Sequence, residues 1–378
     1  MFPHSPLTRR SLIRHAAATG VALSLPAWAQ SERIVLGQSA AFSGPAAELG
    51  LQMNQGARLV FDQVNASGGI GGRQIELRTL DDGYEPERCK ANTEKFINDG
   101  VFALFGYVGT PTCVAALPVI NESRTPFLGP FTGAEVLREP FSRYVFHVRA
   151  SYYDETALIV KNLTSLGLNR IAVFYQDDSY GMAGLTGVQR ALAAISLKPV
   201  SLGTVQRNTV DVAGAVKSIL PAQPQAIVQI SAYKSCAAFI REARKAGFGG
   251  TFFNVSFVGT QALADELGKD GQGVMISQVV PYPYSTATPI AREYNEAIKQ
   301  TGGKAQPNYS SMEGYIAAKV MVEGLRRAAR LTQDGLISGL ESINQSFGGF
   351  NVSFGARKHT ASTFVDLSML TGDGRVRR

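Results

Sequence analysis

The sequence has few of the residues that bind metals or act as nucleophiles and bases. Only three of its 378 residues are cysteine and four are histidine. The cysteines, at 89, 113 and 236, form no CxxC pair and no other metal-ligand spacing. P-loop, GxSxG, HExxH and EF-hand motifs do not occur. We therefore expect no metal, no cofactor and no enzymatic activity; a hydrolase or oxidoreductase would need a nucleophile–base pair or a cofactor loop.

Long apolar runs and an excess of one charge are also scarce. After residue 29 no apolar run approaches the ~20 residues that a membrane span needs. The first 29 residues contain three arginines and no acidic residue, so without them the formal charge falls from +7 to +4. No basic run alternates with aromatic residues, which argues against nucleic acid as a partner.

The first 29 residues have the pattern of an export signal. A basic segment resembling the twin-arginine motif, TRRSLIR, precedes a short apolar stretch and a small-residue cleavage site ending at Ala29. We predict a cleaved signal peptide over residues 1–29 and a periplasmic protein. In that oxidising compartment Cys89 and Cys113 could form a disulfide, or both could be buried thiols. Cys236 is expected to be a free, packed thiol.

Apolar strand-like runs alternate with helical ones along the rest of the chain. RIVLGQSAAF, VFALFGYVG, RIAVFYQDD and PQAIVQIS are typical of strands, and helical periodicity follows each. Such alternation predicts an α/β fold with parallel sheets flanked by helices. The length suits two cores of roughly 175 residues each.

A glycine-rich stretch, NASGGIGGRQIEL at residues 65–77, resembles a phosphate-binding loop at first sight. A phosphate loop runs from a strand through glycines into a helix, whose first amides face the anion. Here the order is helix, glycines, strand. We therefore interpret GGIGG as a helix end and a tight turn.

Two strand-to-helix junctions are candidates for a binding site. VFALFGYVG continues into Thr110, and TPFLGP continues into Phe131, Thr132 and Gly133. Ligands of open α/β sheets bind where strands end and helices begin, and free amides there can hold a carboxylate. Threonine at such a junction can equally cap the helix. Two neighbouring junctions of this composition favour a shared anion site.

Across nearly the whole chain after residue 30, the sequence resembles the type I periplasmic binding proteins of branched-chain amino acid and amide uptake, the Leu/Ile/Val-binding family. The resemblance implies two Rossmann-like lobes joined by three crossovers, with the ligand between them. By position, the first lobe is 31–152 with 279–362, and the second is 153–278 with 363–378. The matching stretches are IVLGQSAAFSGPAAELG, GARLVFDQVNASGGIGGRQIELRTLDDGYEP, FGYVGTPTCVAALPVI, TPFLGPFTGAEVLRE, FYQDDSYGMAGL and NYSSMEGYIAAKVMVEGL.

The resemblance also implies a set of site residues. Thr110 and the Phe131–Gly133 backbone would hold a ligand carboxylate, and Tyr180 and Tyr233 would close the second lobe over it. The family's glutamate for a ligand ammonium is replaced here by Ser256. A serine cannot neutralise a buried ammonium. Either Asp154 or Glu155, near the expected hinge, substitutes, or the ligand lacks an amine.

Aromatic residues are frequent at the expected cleft, although we expect at least half of them to pack structurally. An aromatic-rich cleft beside a carboxylate anchor favours an apolar or aromatic acid over leucine. The residues are Tyr107, Phe131, Tyr152, Tyr153, Tyr180, Tyr233 and Phe257.

The family resemblance implies the substrate-binding component of an ABC importer, which carries a small carboxylate-bearing ligand to a permease pair in the inner membrane. An exported ligand sensor of the same fold is the alternative. The lac-repressor-like regulators, which share the fold, would require a helix-turn-helix where this chain has an export signal.

Overall fold

The computed structural model describes residues 33–378. The signal peptide predicted for residues 1–29 and its cleavage near Ala29 lie outside these residues. The strands are β1 (Ile34–Ala40), β2 (Ile75–Asp81), β3 (Ala103–Phe105), β4 (Phe127–Leu128), β5 (Val145–Phe146), β6 (Ile171–Gln176), β7 (Leu202–Val205), β8 (Ala226–Ile230), β9 (Thr251–Asn254), β10 (Met275–Gln278), β11 (Asn344–Phe347), β12 (Phe350–Ser353), β13 (Asp366–Leu370) and β14 (Val376–Arg377).

The α-helices lie mostly between successive strands, as the alternating pattern predicts. They are α1 (Ala47–Ala66), α2 (Pro86–Asn98), α3 (Thr110–Ser123), α4 (Tyr152–Ser165), α5 (Ser179–Ala193), α6 (Ala213–Ile219), α7 (Tyr233–Lys245), α8 (Thr260–Leu267), α9 (Pro289–Gln300), α10 (Tyr309–Arg327) and α11 (Gln333–Glu341). No helix in this part of the chain has both the length and the apolar character for crossing a membrane.

Two sheets, one parallel and one mainly parallel, organise the molecule, and each is flanked by helices. The first has five strands in the order β2-β1-β3-β4-β5. The second has seven, in the order β14-β13-β10-β9-β8-β6-β7, and is parallel from β10 to β7. All of β8 is buried, as expected for a strand covered on both faces. The predicted α/β architecture is confirmed.

We call the parts built on the five- and seven-stranded sheets the first and second lobe. The chain leaves the first sheet after β5, and it returns after β10 to α10, which packs against α1. It then re-enters the second sheet at β13, pairing antiparallel with β10. The exact lobe limits, 31–152 with 279–362 and 153–278 with 363–378, stay a prediction.

The glycine-rich stretch is a helix end and a turn, as predicted. The amide of Gly69 donates to the carbonyl of Val64 at 2.9 Å, which closes the end of α1. Gly68 and Gly69 have φ angles of 97° and 76°, in the left-handed region that glycine tolerates. The chain then enters β2 at Ile75.

The disulfide considered for Cys89 and Cys113 is absent, and both cysteines are free and buried. They lie in a second hydrophobic core of the first lobe, between the sheet and helices α2 and α3. Burial raises the pKa of both thiols, so the thiolate that disulfide formation requires is disfavoured. Cys236 is also a free, buried thiol, as expected.

Candidate functional site

The two predicted junctions meet at the carboxyl edge of the first sheet. Thr110 opens α3 after β3, and Thr132 follows β4, the neighbouring parallel strand. Their hydroxyl oxygens are 2.6 Å apart, and both side chains are fully buried. Thr132 Oγ1 also accepts a hydrogen bond from the amide of Ala134 at 3.2 Å. Because β3 and β4 are adjacent, the hydroxyls of Thr110 and Thr132 form a hydrogen-bonded pair although the residues are 22 positions apart in the sequence.

The backbone of residues 131–133 is less available for an anion than the resemblance implies. The amide of Phe131 donates to the carbonyl of Tyr107, and that of Thr132 to the carbonyl of Pro130, each at 2.8 Å. The first amides of α3 have no acceptor within the helix. An anion at this edge would therefore face the start of α3 and the two threonine hydroxyls.

Gly133 allows the close approach of the connection between the lobes. Its carbonyl accepts a hydrogen bond from the amide of Tyr152 at 2.8 Å. A Cβ atom at position 133 would lie 2.6 Å from the Tyr152 nitrogen and 2.8 Å from a carbon of its ring. A larger residue at 133 would therefore displace Tyr152.

Aromatic rings from both lobes form one buried cluster next to these threonines. The ring of Phe257, from the second lobe, lies at its centre. Its centroid is 4.5 Å from that of Tyr180, 5.7 Å from that of Phe131 and 5.8 Å from that of Tyr84. Tyr152 and Tyr180 are 5.5 Å apart. We call these five residues the aromatic cluster; each is at most 1% exposed.

Tyr84 is a member of the cluster that sequence reasoning missed. It follows β2, has a φ angle of 64° and accepts a hydrogen bond on its hydroxyl from Gln176 Nε2 at 3.1 Å. Gln176 ends β6 of the second sheet, so this bond joins the lobes. Burial raises the pKa of Tyr84. The signal was present in DDGYEP, which directly follows a strand as the two chosen junctions do.

Three buried charged residues lie at the end of the cluster near Phe131, and of these only Glu155 is a candidate from the sequence. Arg149 Cζ is 5.0 Å from the Phe131 ring centroid and 5.9 Å from that of Tyr152. Its Nη2 donates to Glu155 Oε1 at 3.3 Å, and its Nη1 is 3.6 Å from Glu313 Oε1. The signal for Arg149 was a lone arginine in the apolar run YVFHVRASYY.

The two acids, Glu155 and Glu313, have different surroundings. Glu155 accepts several hydrogen bonds from neighbouring residues of the second lobe. Burial raises the pKa of Glu313 to about 7, although the positive charge of Arg149 opposes the shift. The carboxyl of Glu313 therefore takes up a proton near neutral pH.

Of the two acids considered near the hinge, Glu155 is the one that contacts Ser256. The amide and hydroxyl of Ser256 donate to the Glu155 carboxylate at 2.8 and 3.1 Å. Asp154 is instead used by the helix cap: it accepts from the amide and hydroxyl of Ser151 at 2.9 and 2.8 Å. It lines a separate cavity of about 230 Å³ with Arg138. The assignment of Asp154 to the ligand site stays a prediction.

Tyr107, another predicted site residue, has its side chain in the core of the first lobe. Its ring packs on Phe127, with centroids 4.9 Å apart, and its hydroxyl accepts from Thr93 Oγ1 at 3.1 Å. Both contacts lie in the core that contains Cys89 and Cys113, away from the aromatic cluster. The Tyr107 side chain therefore faces the helices. Its backbone carbonyl accepts the hydrogen bond from the Phe131 amide.

The other two predicted tyrosines have no ring contact with the cluster among the described residues. Tyr233, at the start of α7, is buried, and burial raises its pKa while a backbone hydrogen bond from Glu48 of the first lobe lowers it. Tyr233 therefore contacts both lobes. Tyr153 is only partly buried and lies under the guanidinium of Arg190, 5.1 Å from its ring centroid.

A second cavity, of about 440 Å³, lies between α1, α10 and the β11–β12 hairpin and contains no predicted site residue. Its polar lining includes Gln63, Glu293 and Lys319. Its lining contains no residue of the aromatic cluster.

Comparison with known proteins identifies the family of the chain. The profile of the family described as periplasmic binding protein matches residues 33–374. A Leu/Ile/Val-binding protein homolog 8 of Brucella suis biovar 1 (strain 1330) is 26% identical over 97% of this chain and 96% of its own length.

Two crystal structures are closer in sequence. A possible leucine/isoleucine/valine-binding protein from Rhodopirellula baltica SH 1 is 34% identical, with a TM-score of 0.88 over 91% of this chain and 95% of its own. A substrate-binding periplasmic protein from Ralstonia solanacearum is 33% identical, with a TM-score of 0.86 over 91% and 99%. The chain therefore belongs to the periplasmic binding protein family, as a type I member of its Leu/Ile/Val-binding branch.

Proposed function

We propose that the protein is the substrate-binding component of an ABC importer and captures a small carboxylate-bearing solute between its lobes. The observation that carries this proposal is the aromatic cluster, which joins rings of both lobes beside the Thr110–Thr132 pair at the start of α3. A binding protein delivers its ligand unchanged, so we expect no turnover.

The two parts of the site suit the two parts of such a ligand. The first-turn amides of α3 and the positive end of its dipole favour a carboxylate beside Thr110. The rings of Phe131, Tyr180 and Phe257 offer apolar faces for the remainder of the molecule. The names of the relatives mention leucine, isoleucine and valine. The aromatic cluster suits aromatic and branched apolar acids as well.

Closure provides the link from binding to delivery. A ligand that contacts both lobes has a higher affinity for the closed state and shifts the population toward it. The closed state then presents both lobes together to a permease pair in the inner membrane. In a deletion strain, loss of uptake of the ligand supports this role, whereas intact uptake with a lost transcriptional or chemotactic response favours the exported sensor.

The solute class is tested by thermal unfolding of the purified protein with a panel of aromatic acids, branched-chain amino acids and their amides. A ligand present at a hundredfold excess over its Kd stabilises the protein by about 2.7 kcal/mol. We expect acids to raise the Tm and the matching amides to leave it unchanged. Stabilisation by amides alone would contradict a carboxylate ligand.

The location is tested by Thr110→Val, which keeps the shape and removes one hydroxyl. Thr132 then loses its buried partner, and we expect about 1–3 kcal/mol of destabilisation and roughly tenfold weaker binding of the best acid in calorimetric titration. Thr164→Val is the control, because the Thr164 hydroxyl bonds only within its own helix, to Val160 at 2.9 Å and Lys161 at 3.4 Å. Equal affinities for the two variants would place the site elsewhere.

A further inference from the structure

Arg149 is a fully buried cation with donors to spare. Its side chain is 1% exposed, and only Nη2 makes hydrogen bonds, to Glu155 and to the hydroxyl of Ser256. Nε and Nη1 have no acceptor; the nearest carboxylate oxygen to Nη1, on Glu313, is 3.6 Å away. Leaving charged donors buried without acceptors is unfavourable by several kcal/mol in general. These donors are therefore suited to a group that arrives with the ligand.

The unpaired donors lie at the aromatic cluster. The Arg149 guanidinium is near the rings of Phe131 and Tyr152, at 5.0 and 5.9 Å. The hydroxyl of Tyr180 is also buried and lacks a hydrogen-bond partner. Three donor atoms, Arg149 Nε and Nη1 and the Tyr180 hydroxyl, thus lie at the rings that we propose hold the ligand. An anionic, acceptor-only group is the kind of partner that such donors bind.

Glu155 contacts Ser256, the position at which the family has its ammonium-binding glutamate. In contrast to Arg149, Glu155 has hydrogen-bond partners for both of its carboxylate oxygens. Its carboxylate accepts from the Ser256 amide and hydroxyl and, at 2.6 Å, from the Ser277 hydroxyl. The fourth partner is Arg149 Nη2 at 3.3 Å. A ligand ammonium would have to displace these partners and would lie beside a guanidinium of the same charge. The arrangement therefore disfavours an amine.

We infer that Arg149 binds the acid group of the ligand and that the site selects aromatic or branched apolar carboxylates without an α-ammonium group. This inference rests on the proposed function and specifies its substrate class. Glu155 acts as the counter-ion that positions Arg149. Its neutral replacement should leave more of the arginine charge for the ligand.

The first test uses calorimetric titration of matched ligands that differ only in the amine: 3-phenylpropanoate against phenylalanine, and 4-methylpentanoate against leucine. We expect the amine-free acid of at least one pair to bind about 100-fold more tightly than its amino acid. Tighter binding of the amino acids would overturn this inference and leave the proposed function standing. If no member of either pair and no acid of the wider panel binds, the proposed function fails, and the inference with it.

The second test assigns the roles of the two residues. R149Q alone would leave Glu155 buried without its cation, so the test uses R149Q/E155Q, which neutralises the pair together. We expect about 100-fold weaker binding of the acid with the fold intact by circular dichroism. R241Q/D270N is the matched control, since the Arg241–Asp270 pair, 3.3 Å apart, lies away from the cluster. Unchanged acid affinity in R149Q/E155Q would overturn the assignment of Arg149.

The single variant E155Q separates a ligand role of Arg149 from a purely structural one. If Arg149 holds the acid, E155Q strengthens acid binding, by about 3- to 10-fold, because the guanidinium shares its charge with one carboxylate fewer. If the ion pair only braces the hinge, or if Glu155 receives a ligand ammonium, E155Q weakens binding. That weakening would contradict the inference.

Discussion

Glu313 shows how one buried residue makes the stability of the protein depend on pH. Burial raises the pKa of its carboxyl from an ordinary 4.5 to about 7. The folded state therefore holds a proton that the unfolded state has already released between pH 4.5 and 7. Stability is greatest below pH 4.5 as far as this group is concerned, and it falls as pH rises toward 7.

Replacing Glu313 by glutamine should remove this dependence. We expect Glu313→Gln to gain about 3 kcal/mol in unfolding free energy relative to the native protein between pH 4.5 and pH 8. Urea unfolding at several pH values measures the difference. Glu323→Gln, on the same helix but in an ion pair with Arg327 nearer the surface, is the control and should follow the native curve. Parallel curves for Glu313→Gln would contradict the buried, protonated carboxyl.

For single residues, the sequence predicts contacts between residues at the ends of neighbouring strands. It does not predict contacts that depend on the direction of a side chain. Thr110 and Thr132 could be placed together because both follow strands of one sheet. Tyr107 could not be placed, since a residue at a strand exit can face either side of the sheet. Arg149 and Glu155 were missed as a pair because a buried ion pair leaves no periodic pattern.

At the scale of the elements, the crossing of α1 and α10 depends on two glycines. A Cβ on Gly56 would lie 1.8 Å from the carbonyl oxygen of Ser311, and one on Gly314 would lie 2.1 Å from that of Met53. The backbones of the two helices are therefore in contact, at Gly56 of α1 and at Gly314 of α10. This contact sets the position of α10, the helix that contains Glu313. Glu313 Oε1 lies 3.6 Å from Arg149 Nη1.

Gly56→Ala should accordingly force the helices apart. We expect a loss of about 1–3 kcal/mol or more in unfolding free energy, because backbone atoms cannot move aside as a side chain can. The matched control is Gly214→Ala in α6, where an added Cβ meets nothing within 4 Å. That variant should be neutral or stabilised by up to about 1 kcal/mol. Equal stabilities, by thermal or urea unfolding, would contradict the close crossing.

Element type and order could be predicted from the sequence, whereas pairing could not. The order helix–glycines–strand at residues 65–77 was sufficient to exclude a phosphate loop. The two-residue strands β4 and β5 and the antiparallel pairing of β13 with β10 have no signature of their own. Register and direction arise from tertiary contacts, which alternation of apolar residues does not encode.

At the scale of the whole molecule, polar contacts besides the aromatic cluster hold the lobes together. Arg207 Nη2 donates to Glu85 at 2.9 Å, and Asn208 Nδ2 donates to Glu85 at 2.7 Å and to the carbonyl of Gly83 at 3.1 Å. Gly83 and Glu85 follow β2, and Arg207 and Asn208 follow β7. Together with the Tyr84–Gln176 bond, these contacts join the two sheet edges.

Removing these contacts should favour the open state. The ion pair is partly exposed, with Glu85 44% exposed, so we expect Arg207→Ala to weaken ligand binding only about 2- to 5-fold. A larger radius of gyration in small-angle scattering should accompany the change. Lys245→Ala, which breaks an exposed pair within α7, is the control. A loss of affinity with no change in scattering would argue against a role in closure.

The two-lobed architecture was predicted through family resemblance, because the matching stretches run in order along the chain. Composition and periodicity alone lead only to parallel sheets flanked by helices. The relative position of the lobes depends on a few contacts between loops, such as those of Tyr84 and Arg207, and no local pattern encodes them.

The central claim, that a carboxylate-bearing solute lies between the lobes, is tested most directly by a crystal structure with the tightest-binding acid. The account predicts the carboxylate within hydrogen-bond distance of Thr110, Thr132 or Arg149, with the apolar part between Phe131 and Tyr180. Electron density for the acid in the surface cavity beside Gln63 and Lys319, with the aromatic cluster undisturbed, would contradict it.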